Sequence, residues 1–499
     1  MKKRHFSLLT IFSILSTVLS AQISIKQADN IVQEYIEKEI TEYYWLYSNE
    51  NIMADKNGAT TISTWNKKSV SIDNSCFVYF IDERPYANWA HPCRYLFVDK
   101  SNGQIYEKKA TTPPENMKTW KMITPLPQLP TGTKFDFSKS ASNLRSGINP
   151  QNCYAVIISG GYDEFWNWER YWNDCSAIYS ALIHLYGYLK NHIYVLISDG
   201  TDPAIDRHLN DWSYDSSPLD LDGDGLDDIQ YAATKNNITT VFNTLANILT
   251  PDDHLFIFTT DHGDTIPSTQ EATLELWYER ITASEFAAEV NKVNAGSISI
   301  VMEQCFSGGF IPHLAKQGRT IATACSAIEE SWAMPPSYTY NEFVYHWTAA
   351  VAGFTPSGSS VNADYNNDGY ISMKEAFDYA NTNDNANEIP QYSSIKAHLG
   401  DCLTLLGTQV ATTVNFTGTV APPITVTSDT TIGSCGDINV QYVTVTNGAT
   451  LTFEAEGNIN VQDVTVKNNS KLILDAGGEV NIIGDFDVEL GSEFEIKYP

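Results

Sequence analysis

The sequence predicts an α/β protein: a mostly parallel sheet flanked by helices, preceded by an α+β segment and followed by an all-β repeat region. Three observations predict it. Residues 151–408 alternate apolar runs with helix-period segments, the pattern of a parallel sheet covered by helices. Residues 22–125 carry one amphipathic helix and then two strand-like runs. Residues 424–499 repeat short Val-Thr-Val motifs at near-constant spacing.

The first 21 residues read as a signal peptide. Lys2, Lys3 and Arg4 form a charged start, Phe6–Leu19 an apolar stretch too short to span a bilayer, and Ser20 and Ala21 a small-residue cleavage point. This predicts a secreted or cell-surface protein. The net charge of −29 repels polyanions, so no nucleic-acid partner is expected.

In residues 24–47, Ala28, Ile31, Val32, Tyr35, Ile36, Ile40 and Tyr43 recur at three- and four-residue steps, and Ser24 with Gln27 can cap the start. Phe77–Ile81 and Tyr95–Val98 read as strands, and Cys76 and Cys93, flanking a hairpin, are the candidate disulfide. Residues 126–150, rich in Pro, Thr, Lys and Ser, read as an exposed linker and processing site. Export, position and linker together predict that residues 22–125 are a propeptide. A substrate-binding or folding module is the alternative.

Within 151–408 the predicted strands are Tyr154–Ser159, Ile193–Ile197, Leu255–Thr259, Ile298–Met302 and Thr320–Ala324. Between the first two, Cys175, Tyr179, Leu182, Tyr186 and Leu189 share one helical face. A second linker, 409–423, contains Ala421-Pro422-Pro423. Beyond it Ile424, Val443, Val464 and Phe486 begin repeating triplets, and Ala455 and Ala476 recur in step. Residues 424–499 therefore form a β-repeat domain, a solenoid or a stack of hairpins. Surface attachment, binding to secretion machinery and substrate binding are its candidate roles.

Two strand ends carry the chemistry. One runs from Leu255 into His262, the other from Ser297 into Cys305. Ligands of open α/β sheets gather beyond the carboxyl ends of the strands, so a base and a soft nucleophile there suggest a Cys–His dyad. Amides around Gly263 and Cys305 are candidate oxyanion donors. The order His then Cys argues against a papain-like enzyme.

These residues resemble a family. Thr260-Asp261-His262-Gly263 and Glu303-x-Cys305-x-Ser307-Gly308 look like the motifs of legumain-type cysteine peptidases, within the caspase-like clan. Tyr154–Gly161, Asn167–Arg170, Asp174–Tyr179, Ala322–Ala324 and Glu329–Ala333 extend the likeness. The resemblance implies a caspase-like sheet and a secreted cysteine endopeptidase acting on polypeptides through a thioester, made as a zymogen. It implies that Cys305 attacks the scissile carbonyl, His262 protonates the leaving amine and Asn167 orients the histidine. Arg170, Glu303, Glu330, Ser331 and Trp332 would line the pocket for the residue before the cut. Legumains prefer Asn or Asp there. Here Glu330 stands at a family serine and Glu342 is a further carboxylate, so a pocket for Lys or Arg is the competing expectation. For Glu303 and Arg170, a salt bridge under the sheet is the structural alternative. A peptide ligase of the same fold and a calcium-bound, non-enzymatic adhesin are the rival functions.

Two segments carry calcium-loop patterns. Asp364, Asn366, Asp368, the Tyr370 carbonyl and Glu375 fit a twelve-residue EF-hand loop, with Gly369 at its turn. Asp220, Asp222, Asp224, the Leu226 carbonyl and Asp228 fit a shorter one. Structural Ca2+ is expected at both, and no organic cofactor.

Overall fold

The computed structural model describes residues 22–40, 43–65, 67–89, 91–137, 150–266, 268–395, 399–408 and 413–497. Residues 1–21, read above as a signal peptide, and residues 138–149 and 409–412 of the expected linkers lie outside them. The chain divides into two compact units, one of residues 1–85 and 92–125, the other of 86–91 and 126–499.

In the first unit, helix α1 (Ile25–Glu39) starts at a capping box of Ser24 and Gln27. It is shorter than the periodicity predicts. The aromatic run after Tyr43 favours a pleated surface, and β1 (Trp45–Asn49) is a strand buried throughout. With β2 (Cys76–Asp82), β3 (Cys93–Asp99), β4 (Ile105–Ala110) and β5 (Lys121–Met122) it forms an antiparallel sheet of order β4-β3-β2-β1-β5. Ala28, Val32 and Ile36 pack on Leu46, Tyr79, Ile81, Leu96 and Val98. Cys76 and Cys93 are free thiols, because the register pairs Cys76 with Asp99 and Asp82 with Cys93, at opposite ends of the ladder.

The second unit is built on β6 (Cys153–Ser159), α2 (Glu169–His184), β7 (Ile193–Ile197), α3 (Lys235–Ile248), β8 (His254–Thr259), α4 (Ala283–Val290), β9 (Ser297–Met302), β10 (Arg319–Thr323), α5 (Glu342–Ala352), α6 (Met373–Asn383) and β11 (Gln391–Ser394). The sheet order is β11-β10-β9-β8-β6-β7, parallel except for the edge strand β11. One apolar cluster packs α2, α5 and α6 on one face, and another packs α3 and α4 on the other. Part of the expected linker is packed: Phe137 is buried, and Phe135 meets Tyr340 edge to face.

The C-terminal strands form two sheets paired in parallel throughout, a solenoid rather than hairpins. Val443 lies beside Val464, Ala455 beside Ala476 and Val464 beside Phe486, so each repeat stacks on the next. An asparagine ladder, Asn415-Asn439-Asn460-Asn481, runs across the turns at 2.9–3.1 Å. A disulfide, Cys402–Cys435, joins the end of the α/β region to the first turns.

Candidate active site

Strands β8 and β9 are neighbours, and Thr259 is the register partner of Met302. His262 and Cys305 each follow three residues later, so the parallel ladder delivers both to the same sheet edge. The two turns nearly touch: a Cβ on Gly263 would lie 2.1 Å from the Cys305 carbonyl oxygen, which only glycine avoids. Phe306 holds a left-handed conformation (φ 59°), turning the chain sharply after Cys305.

Both side chains are buried. The Trp166 carbonyl lies 2.9 Å from His262 Nε2 and fixes the proton there. Nδ1 is then an acceptor, and it receives the Trp89 amide N–H at 3.0 Å. Burial pulls the imidazole well below its usual pKa, and the Arg170 charge adds to this. Burial pushes the Cys305 thiol well above its usual pKa, with Cys325 and Glu330 reinforcing it against the Ser331 donors. The resting pair is therefore a neutral thiol and a neutral imidazole. The thiol donates to the Asn88 carbonyl at 2.7 Å.

A segment remote in sequence thus fills the site. Residues Tyr86–Asn88 pair antiparallel with Ser331–Ala333. Asn88 N–H donates to the Ser331 carbonyl (2.9 Å), Ala333 N–H donates to the Tyr86 carbonyl (3.0 Å), and Ala87 bridges Trp332. This is strand addition, the usual way an extended peptide is held.

The fully buried Asn88 side chain enters a polar pocket. Its Oδ1 accepts from Arg170 Nη2 (2.8 Å) and from the Tyr171 hydroxyl (2.5 Å). Its Nδ2 donates to Ser331 Oγ (2.9 Å) and Asn341 Oδ1 (3.4 Å). Asn341 is oriented from behind, because its Nδ2 donates to Asp174 Oδ2 (2.6 Å) and Thr260 Oγ1 (3.2 Å). Its Oδ1 therefore faces Asn88 and Arg170 Nε (3.1 Å). Two donors meet the amide oxygen and two acceptors meet the amide nitrogen, the complement of a carboxamide.

Residues 153–395 match the sequence model of the Peptidase C13 family. This region is a legumain-type cysteine peptidase domain. No curated protein sequence matches the chain. Among solved structures, a Geobacter sulfurreducens protein known from its crystal structure is similar at 11% identity and a TM-score of 0.31, over 48% of this chain and 92% of that one.

The peptidase domain gathers some predicted residues and not others. Arg170 and Ser331 contact the Asn88 side chain, Trp332 contributes its backbone, and Gly263 N–H donates to the Trp89 carbonyl (3.0 Å). Asn167 is not the histidine's orienter: its Nδ2 donates to Ser198 Oγ and the Asp206 carbonyl, both at 2.6 Å, and the carbonyl of its neighbour Trp166 does that work. Glu342 turns away, toward His346 (3.5 Å) and the Asn385 amide (3.2 Å). Glu330 is half-buried and acts on Cys305 through its charge. Glu303 forms no salt bridge with Arg170. It is fully buried, and burial raises its pKa well above the carboxylate range against the lowering effect of the Val344 backbone.

Asn88, Tyr171 and Asn341 are the pocket residues that sequence reasoning missed. Tyr171 adjoins Arg170 and Asn341 adjoins Glu342, so both stood one position from a named candidate. Asn88 lay in a loop treated only as a hairpin connection.

The acidic loops lie elsewhere. Asp220, Asp222 and Asp224 can bring oxygens within 4.8 Å of one another, but the Lys190 ammonium sits 2.9–3.0 Å from Asp222, Asp224 and Asp228. A cation fits there only by displacing it. In the other loop Asp364 accepts the Asp368 and Gly369 amides, and Glu375 caps α6 with Ser372 while accepting the Tyr365 and Asn366 amides. Its carboxylates already accept those amides, and among the described residues only Asp220, Asp222 and Asp224 bring three acidic oxygens together.

Proposed function

We propose that the chain is an endopeptidase that cuts after asparagine, with Cys305 as nucleophile and His262 as acid and base. The observation that carries this reading is the Asn88 carboxamide, met at each polar atom by a complementary partner in the pocket. A longer Lys or Arg side chain would bring its charge onto the Arg170 guanidinium. Aspartate would set an unprotonated oxygen against Asn341 Oδ1, so asparagine is favoured over aspartate.

A substrate adds as a strand to Ser331–Ala333, and its asparagine carbonyl carbon comes to the Cys305 sulfur. The thiol proton passes to His262. The sulfur bonds to the carbonyl carbon, and Gly263 N–H is the nearby donor for the developing oxyanion. His262 Nδ1 then hands the proton to the leaving amine, where Trp89 N–H now sits. Water, deprotonated by the same imidazole, hydrolyses the thioester.

The proposal extends to an exported zymogen in which residues 22–125 are the propeptide, Ca2+ braces the Asp364–Glu375 loop and the solenoid serves attachment or secretion. Terbium luminescence quenched by Asp364→Asn tests the calcium site. For the main proposal, the Asn88→Ala chain is offered fluorogenic peptides with Asn, Asp, Lys or Arg before the cut. Asn is cut fastest, and Cys305→Ala abolishes cutting. Preference for Lys or Arg, or activity surviving Cys305→Ala, overturns it.

A further inference from the structure

The Ser331–Ala333 strand has two edges. On the receiving edge Ser331 and Ala333 exchange hydrogen bonds with Asn88 and Tyr86, and Trp332 sits between them, opposite Ala87. At such a position in an antiparallel pair the backbone N–H and C=O point away from the partner strand. On the far edge the Trp332 carbonyl accepts Glu342 N–H (2.9 Å), and the Trp332 N–H donates to Glu388 Oε2 (2.8 Å). Resting on the function proposed above, we propose that Glu388 is a positioning residue: its carboxyl clamps the Ser331–Ala333 strand from behind, in the register that a substrate needs.

Three observations carry this. First, backbone pairing on the far edge stops short. Ala333 bridges Asn341 there, but α5 begins at Glu342 and the chain turns into helix. The Trp332 amide needs another acceptor, and a side chain supplies it. Second, Glu388 is delivered by the sheet. It stands three residues before Gln391, which begins β11 and is the register partner of Thr323 at the end of β10. The edge strand thus fixes the carboxyl behind Trp332. Third, the buried carboxyl also meets Asp384. Burial raises both acids, while the hydrogen bond between them raises Glu388 and lowers Asp384. Glu388 therefore keeps the proton. Its O–H donates to Asp384, and its carbonyl oxygen accepts from Trp332.

The surroundings set the direction of any pH effect. Glu303, Asp384 and Cys325 face Glu388. Asp174 and Arg170 face Glu303, and Glu342 and His346 face Asp384. Once Glu388 ionises, Asp384 repels it and the clamp loosens. Substrate binding therefore weakens as pH rises.

Two substitutions separate the clamp from simple packing. Glu388→Gln keeps an acceptor for the Trp332 N–H and a donor for Asp384, whereas Glu388→Leu keeps the bulk and neither group. Both are made in the full Asn88→Ala chain, with thermal melting to confirm folding. In Glu388→Leu, hydrogen–deuterium exchange of the peptide containing the Trp332 amide speeds about tenfold. KM for asparagine peptides rises about fivefold or more, while kcat stays within about twofold. Glu388→Gln matches the parent in exchange and in KM at neutral pH. Its KM also stays flat where the parent's climbs toward alkaline pH. Every other titrating group is common to both proteins, so that difference belongs to residue 388. Unchanged exchange and KM in Glu388→Leu overturn the proposal. So does a Glu388→Gln protein as impaired as Glu388→Leu, or one whose KM climbs with pH as the parent's does. If Asn88→Ala cleaves no asparagine peptides, the function proposal is wrong, and the exchange comparison still decides whether Glu388 holds the strand.

Discussion

Two buried polar clusters adjoin Cys305, and they are satisfied to opposite degrees. Around Asn88, the polar atoms of Arg170, Tyr171, Ser331, Asn341 and Asp174 find partners at ordinary hydrogen-bond distances. Around Glu303, carboxyl groups face one another: Glu303 has only the Val344 backbone beside it, Glu388 has one oxygen on the Trp332 amide and meets Asp384, and burial raises Asp384 and Glu388 as well. The first cluster is complete only with a carboxamide in it, which is how a recognition site looks when filled. The second is complete only if protonated. Polarity alone does not mark a binding pocket; the pattern of donors and acceptors does.

The sharpest way to break the contrast is Arg170→Met. It removes a buried charged donor and leaves the amide oxygen to Tyr171 alone, so kcat/KM for asparagine peptides falls about 100-fold or more in the Asn88→Ala background. Steady-state kinetics decide it. A loss of less than about threefold would mean that the pocket does not read the amide oxygen.

Next in size, Asn88→Ala itself strips four hydrogen bonds from the seated loop and raises activity of the full chain on small asparagine peptides about tenfold over wild type. Unchanged activity would mean that the loop does not limit access. A smaller effect separates Asn from Asp substrates. An aspartate carboxyl can donate to Asn341 Oδ1 only when protonated, so aspartyl peptides gain on asparaginyl ones as pH falls toward about 4. A flat ratio across that range would remove Asn341 as the discriminating acceptor.

The sheet was legible because buried parallel strands are continuous apolar runs, and those of β6, β7, β8, β9 and β10 are short and bounded by turn residues. His262 and Cys305 were legible because they end two such runs. The pocket was only half legible. Arg170 and Ser331 sit in motifs, but Asn341 acts through an orientation that Asp174 imposes from another element, and no local pattern carries that. Asn88 reaches the site from the loop between β2 and β3, a long-range placement invisible to periodicity. Glu342 and Glu330 misled because charge was counted without direction: Glu342 faces His346, and an acidic residue near a pocket is not a wall of it.

The finest test of the contrast is Glu303→Gln. A carboxyl with a higher pKa folded than unfolded keeps a proton that the unfolded chain has already lost. Stability therefore falls as pH rises from about 4 through the folded value. Glu303 and Glu388 are well above the usual range, Asp174 and Asp261 are at about 7 and Glu275 at about 8. The buried histidines act oppositely. Burial lowers His208 to about 4 and His254 to about 3, and His262 falls well below its usual value, so their contribution rises with pH and is complete by about 6.5. Above that only the carboxyls remain, and the thermal midpoint drops between about pH 6.5 and 8. Glutamine at 303 carries no charge and can donate to a neighbouring carboxyl. It flattens this decline and raises the midpoint at pH 8 by about 2–4 °C. The same substitution leaves KM for asparagine peptides unchanged, because Glu303 makes none of the contacts to Asn88. A raised KM in melting-competent protein would place Glu303 in the recognition cluster after all and erase the distinction between the two.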